Sequence, residues 1–329
     1  MQSATRFTRA LLAFMVGVLS MFAAAAGDAA TTYFPGVGEF GTLMFEDSWP
    51  SGSDEDHNDV VVRWNLAVSQ NGLGDTEQLT YTLSVPALGS TTANGLALRL
   101  PVPAATPYQA FINTGLGPVP VLPGVGESQA VLWLVDDLRA LLYPGQPGLI
   151  NTDPAVSPVP VAPPMMLQIQ FVTPVTLNVP AEPFDLFLHR SGDHSHQIHL
   201  PQYYGTDVVN PLLFGTGDDA SDPAPPAGSR WYVDDFGLPW AINIPEDTSH
   251  PNYPGLAAIP SERTPIADAY PDFLLFAASG GTQATDWYLN PVVENLYAAA
   301  AVPEPATFIL GLLGLSGLCL VGWRRRRRS

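Results

Sequence analysis

Between Glu46 and Asp59 the chain gathers six side chains whose oxygens could hold a hard cation: Glu46, Asp47, Asp54, Asp56, Asn58 and Asp59. The last four fall within six residues and run straight into Val60-Val61-Val62, a β-branched run that reads as the start of a strand. Carboxylates crowded in this way repel one another, and folding them against a rigid strand is costly. Ca²⁺ removes that cost, because it takes six to eight oxygen ligands. The Asp54-x-Asp56-x-Asn58 spacing copies the opening of an EF-hand loop. Position six would be Asp59 instead of glycine and position twelve Asn65 instead of glutamate, so a helical EF-hand is excluded and a strand-linked calcium loop is expected. The plainer alternative is a solvated acidic turn with Asn58 and Asp59 as local caps.

Three further constellations carry weaker chemistry. Asp218, Asp219 and Asp222 form a second acidic loop, a candidate to complete the first metal site or to build another, against the alternative of an Asx-rich turn. His189, His194, His196 and His199 cluster beside Asp193, and His194 with His196 would share one strand face, a geometry that zinc can use. Incidental hairpin residues are the competing reading. Asp234-Asp235 beside Trp231 and Tyr232 resembles the paired acids and aromatics of a glycosidase, but no separation between carboxyl groups follows from sequence. No G-x-S-x-G elbow supports a serine nucleophile, and the expectation is a protein without catalytic activity.

The two ends set the compartment. Arg6 and Arg9, an apolar core over 10–22 and small residues at 23–26 make residues 1–29 a secretory signal, with cleavage after Ala26 or Ala29. At the other end Pro303-Glu304-Pro305 leads into an apolar run closed by Arg324, Arg325, Arg326, Arg327 and Arg328. A helix over 306–323 would rise about 27 Å, close to a bilayer core, and the arginines would hold its end in the cytoplasm. The lone cysteine, Cys319, sits in this tail, so the body has neither disulfides nor a thiolate metal site. Outside the signal and the tail, 6 of the 13 arginines and 29 of the 31 acids remain, a net charge near −23. Such a surface disfavours nucleic acid and favours cations.

Strand signals dominate the body. Alternation over 60–69 and 78–85 flanks an Asn-Gly-Leu-Gly-Asp turn, and further strand-like runs cover 96–100, 108–112, 130–135, 166–172, 175–179, 184–188 and 197–200. With 34 prolines marking edges and loops, this predicts a mainly β protein, an antiparallel jelly-roll-like β-sandwich. One helix stands out over Ile266–Ala278, opened by Thr264-Pro265 and ended by Gly280-Gly281. One composite domain is expected over 31–301: a first half at 45–143, a proline-rich loop at 144–164 and a second half at 165–297.

Two resemblances follow from quoted residues. The tail from Val302 onward is similar to the PEP-CTERM sorting signal, with Pro303-Glu304-Pro305 as its core. That resemblance implies export through the Sec machinery, a membrane-anchored intermediate, and processing by a membrane-embedded exosortase that delivers the protein outward. Phe45-Glu46-Asp47, Trp49-Pro50, Asp54-x-Asp56-x-Asn58-Asp59 and Val61-Val62 resemble the opening of the LruC domain. Further along, Ile198-His199-Leu200-Pro201, the run from Leu213 to Asp219, the run from Leu238 to Pro245, and Asp286-Trp287-Tyr288 look like its far half. Ser53, Glu55 and His57 depart from that pattern without altering the oxygen ligands. Membership would imply a cell-surface or secreted protein with no catalytic residues to carry over. The expected role is structural or adhesive, in association with exopolysaccharide. The runner-up is a secreted carbohydrate-binding or carbohydrate-active protein.

Overall fold

A computed structural model describes residues 30–115, 117–178, 184–221, 230–244 and 258–297. The expected signal peptide, Asp222, and the tail with Pro303-Glu304-Pro305, its helix and Arg324–Arg328 lie outside these residues. In chain order the strands are β1 (Ala30–Phe34), β2 (Gly41–Phe45), β3 (Val60–Gln70), β4 (Thr76–Ala87), β5 (Asn94–Pro103) and β6 (Tyr108–Asn113). Then come β7 (Pro118–Pro120), β8 (Gln129–Val135), β9 (Met165–Val175), β10 (Asp185–Arg190), β11 (Asp193–Ile198) and β12 (Ala241–Ile244).

Every pairing among them is antiparallel. One sheet runs β12-β2-β3-β4-β9-β6-β7, with β1 continuing beyond β2 along the same edge of β3, and a smaller one runs β11-β10-β5-β8. Both sheets therefore combine strands from before and after the proline-rich loop. The sandwich core is built from inward-facing alternate residues: Val60, Val62, Trp64 and Leu66 of β3, Leu79, Tyr81 and Leu83 of β4, Leu96, Leu98 and Leu100 of β5, and Leu186 and Leu188 of β10.

A second apolar layer explains why one end of the large sheet loses its alternation. Met44, Val61 and Ile242 point away from the sandwich and are covered by Ile266, Tyr270, Phe273 and Trp287 of the C-terminal segment. At roughly 1.5–3 kcal/mol for each large side chain buried, this cap contributes enough to hold a segment that has little regular structure. It contains α2 (Ile266–Ala269) and α3 (Phe273–Ala278), whereas α1 (Leu138–Leu142), capped by the Asp137 carboxylate, lies elsewhere.

The single helix expected over 266–278 is thus two. Pro271 sits between them: it cannot donate a backbone hydrogen bond, and it pushes Tyr270 out of the helical region, to ψ 87°. Helix α1 and strands β1, β2, β7 and β12 were not anticipated. The strand expected at 175–179 does not stand alone, since Val175 ends β9 and 176–178 are not strand. Among the described residues no helix is long and apolar enough to cross a membrane.

Candidate metal centre

The loop joining β2 to β3 carries the acidic cluster, and it is folded inward. Glu46, Asp56 and Asn58 are buried, Asp54 is exposed, and Glu55 and His57 adopt positive φ (62° and 52°), which turns the chain twice within four residues. One carboxylate oxygen from each of Glu46, Asp54 and Asp56 lies within 4.8 Å of the others. No arginine forms an ion pair with any of the three among the described residues.

Protein donors hold the carboxylates in place without neutralising them. Glu46 accepts from the His57 amide at 2.5 Å and from the Ser53 hydroxyl at 2.8 Å. Asp56 accepts from the Asn58 amide at 3.1 Å and the Arg263 amide at 2.7 Å. Burial, with the charge of Asp56 adding to it, pushes Glu46 up to about 8; burial and then Asp54 push Asp56 up to about 7. Ionised together, these groups would need a positive partner.

The six expected ligands do not form one set. Asp47 and Asp59 turn to each other and to β5: the Asp47 amide donates to Asp59 Oδ2 at 2.8 Å, and Asn94 Nδ2 donates to Asp47 Oδ2 at 2.5 Å. Burial, then the charges of Asp47 and Glu46, raise Asp59. Asn58 donates through Nδ2 to Pro260 O at 3.2 Å, and among the described residues no donor reaches its fully buried Oδ1. That oxygen faces Gly89, where a Cβ would come within 1.9 Å of it, so the donor chemistry that suits Ca²⁺ is the three-carboxylate cluster alone. Local spacing gave no hint of Glu262, whose pKa Asp54 helps to raise and whose charge in turn raises Asp56.

The same loop ties the sandwich to its cap. Glu55 O accepts from the Ile266 amide at 2.7 Å, and His57 Nε2 meets Pro239 O at 2.7 Å. Buried His57 is pushed down by desolvation, so it donates to that carbonyl as a neutral ring.

The second acidic loop docks on the first. Asp219, 4% exposed, accepts from Trp49 Nε1 at 2.8 Å, Ser221 Oγ at 2.8 Å and the Gly215 amide at 2.8 Å. Asp218 accepts from the Gly52 amide at 2.9 Å, and its own amide donates to Pro50 O at 2.8 Å. Gly217, at φ 61°, lies so close that a Cβ would meet Pro50 O at 2.7 Å. Trp49 itself is enclosed by His196, Phe214 and Tyr232.

The other sequence candidates separate. His194 and His196 do not share a site: His196 packs edge-on against Trp49, whereas His194 stacks on Trp133. The alternation expected from a flat strand fails because the hairpin is irregular between His189 and Arg190. His199 contacts Asp185 at 2.8 Å, and Asp185 also pairs with Arg99. Asp234 accepts from the Phe236 and Leu238 amides, which makes it the cap of a tight turn.

Residues 74–288 match the family described as "Domain of unknown function (DUF4842)". The chain belongs to that family. Residues 301–328 match the PEP-CTERM protein-sorting motif, which implies exosortase-dependent export to the cell surface through a membrane-anchored intermediate. No curated protein matches the chain. Among solved structures, the chain is similar to "a Putative lipoprotein from Bacteroides ovatus", at 18% identity and a TM-score of 0.58, covering 83% of this chain and 77% of that one. At that identity the likeness establishes a shared β fold.

Proposed function

We propose that this protein is an LruC-type module exported by the Sec route, stabilised outside the cell by Ca²⁺, and used as a structural or adhesive component associated with exopolysaccharide, without catalytic turnover. The observation that carries the calcium reading is the Glu46–Asp54–Asp56 cluster, with ligand oxygens within 4.8 Å and, among the described residues, no arginine paired with it. Glu46 and Asp56 would supply buried oxygens, and exposed Asp54 would close the site from the solvent side. Calcium is plentiful outside cells, so a Kd on the order of 10⁻⁴–10⁻³ M suffices for such a module.

Polysaccharide association is supported by an aromatic ledge on the surface. Tyr204, Phe214 and Trp231 lie 4.5–5.5 Å apart between ring centroids, and Tyr204 is exposed. The partly wetted rings of Tyr204 and Trp231, each apolar in body with a polar tip, suit the faces of sugar rings, and Phe214 backs them. The turn-capping role of Asp234 leaves the ledge without a free carboxylate pair on that stretch.

The test uses the mature protein and exopolysaccharide from the cells that export it. Co-sedimentation without release of oligosaccharides is expected, weakened by Tyr204→Ala combined with Trp231→Ala. Release of product would move the reading to a carbohydrate-active enzyme. Mass spectrometry of the exported protein is expected to place its C-terminus near 302–305; intact peptides containing Trp323 in the extracellular fraction would overturn the processing step.

A further inference from the structure

On the outer face of the small sheet, remote in sequence from the β2–β3 loop, two of the four clustered histidines converge with an aspartate that the sequence did not group with them. Asp136 follows β8, His189 lies in β10, and His194 opens β11 beyond the hairpin turn. One ligand atom from each lies within 4.8 Å of the others. We propose that Asp136, His189 and His194 form a binding site for a divalent transition metal of the zinc type.

Each member is held by its surroundings. Asp136 accepts from Ser191 Oγ and from the Gly192 amide, both at 3.0 Å, which fixes the carboxylate over the turn and leaves lone pairs on both oxygens. His194 stacks on Trp133, with centroids 3.8 Å apart and planes 10° from parallel. His189 stands edge-on to both rings, 4.8 Å from His194 and 5.1 Å from Trp133. Beneath it lies Gly95, where a Cβ would come within 2.2 Å of the imidazole, so only glycine lets this ring sink into the sheet.

The surroundings of His189 supply an independent observation. Its Nδ1 faces Arg190 O at 3.1 Å and its Nε2 faces Val135 O at 3.2 Å. A neutral imidazole carries one N–H, so one nitrogen presents a lone pair toward a carbonyl oxygen. A lone pair facing a carbonyl oxygen is repelled by it, and a small turn of the ring would exchange that contact for a metal–nitrogen bond, while the other nitrogen keeps its N–H on a backbone carbonyl, the arrangement that commonly orients a ligating histidine. Two imidazoles and one carboxylate favour Zn²⁺, Cu²⁺ or Ni²⁺ over Ca²⁺, and a body without thiols offers these ions no sulfur competitor. His194 also borders an open cavity of about 320 Å³ lined by Trp133, Ser195 and Val208, so a water can complete a four-coordinate sphere.

The test is made on the mature chain stripped of metal and supplied with excess Ca²⁺. Titration with Zn²⁺ is expected to show one site, and Co²⁺ to give the visible absorption of a tetrahedral nitrogen–oxygen sphere. His194→Ala and Asp136→Ala change exposed residues and, as losses of direct ligands, are expected to weaken Zn²⁺ binding by at least the roughly 10–100-fold that follows loss of a group merely supporting a ligand. Asp54→Asn, in the proposed calcium loop, is expected to leave it unchanged. Cu²⁺ should quench part of the tryptophan emission, and Trp133→Phe should remove that part. The proposal is overturned if Zn²⁺ does not bind, or if it binds equally to wild type and both variants. In either case the three side chains are only packing and turn-capping partners around Trp133 and the hairpin.

Discussion

Two acidic loops meet at Trp49, and their similar compositions have come to opposite ends. In the 215–221 loop the aspartates are occupied by the protein: Asp219 accepts from an indole, a hydroxyl and an amide, and Asp218 from the Gly52 amide. In the 46–59 loop Glu46 and Asp56 also accept amides, yet they converge with Asp54 and, among the described residues, no arginine pairs with them. Acid content therefore does not distinguish a clasp from a cation site. What distinguishes them is whether donors arrive singly at separated carboxylates or the carboxylates are held together with charge left over.

The largest effect should come from breaking the clasp. Asp219→Ala leaves Trp49 Nε1, the Ser221 hydroxyl and the Gly215 amide without their acceptor in a buried place. At about 1–3 kcal/mol for each buried group left unpaired and some local relaxation, the loss should be about 3 kcal/mol. Urea unfolding with and without chelator measures it. If the two loops are separate devices, the variant loses stability equally in both conditions. A variant that also stops responding to calcium would show that the two loops make one site.

Removing calcium should cost slightly less. A ligand bound only by the folded state adds about 2.7 kcal/mol at a hundredfold excess over Kd, so chelation should lower the melting temperature by about 5–10 °C. Calcium should restore it better than magnesium, which demands octahedral geometry and keeps its waters. Asp54→Asn should abolish the response with little effect on the metal-free protein, because Asp54 is exposed. A wild-type melting curve indifferent to chelator would reduce this loop to a second clasp.

Much of the sandwich was legible because its strands bury one face. Over 78–85 Leu79, Tyr81, Leu83 and Val85 alternate with partly exposed residues, and period two reads directly. Strand β2 carries no such signal: all five of its residues are buried, one face in the sandwich and the other under the C-terminal cap. That cap was itself obscured by Pro271, since residues on either side of it keep helical spacing while the helix breaks. The acidic loop was legible as a cluster but not as a geometry. Spacing along the chain could not show that Asp47 would turn to Asn94 and Asp59 to the Asp47 amide, or that Arg263 would supply an amide to Asp56 from more than two hundred residues away. The histidines illustrate the same limit, because an irregular hairpin placed His194 beside His189 and Asp136 instead of His196.

The finest-grained test of the comparison, read one pH unit and one carboxylate at a time, is the pH dependence of the 46–59 loop. Glu46 and Asp56 are raised in the folded protein, to about 8 and about 7, by burial first and then by the charges of Asp56 and Asp54 respectively. In the unfolded chain they titrate near 4. The folded state therefore binds more protons than the unfolded state between about pH 4 and pH 8. The stability tied to these protons is complete below about pH 4 and is lost as pH rises through 7 and 8. Each group contributes a slope of up to about 1.4 kcal/mol per pH unit inside that window. Metal-free protein should thus melt progressively lower from pH 5 to pH 8. Asp56→Asn, which keeps an oxygen for the Arg263 amide but cannot ionise, should flatten the curve by one such slope. Saturating calcium should remove most of the fall, because the cation replaces the protons, and titration calorimetry at pH 6 in buffers of different ionisation enthalpy should detect protons released as calcium binds. A metal-free curve that is flat across this range, or calcium binding with no proton release, would mean that the buried carboxylates are already compensated within the fold and that the cation reading of this loop is wrong.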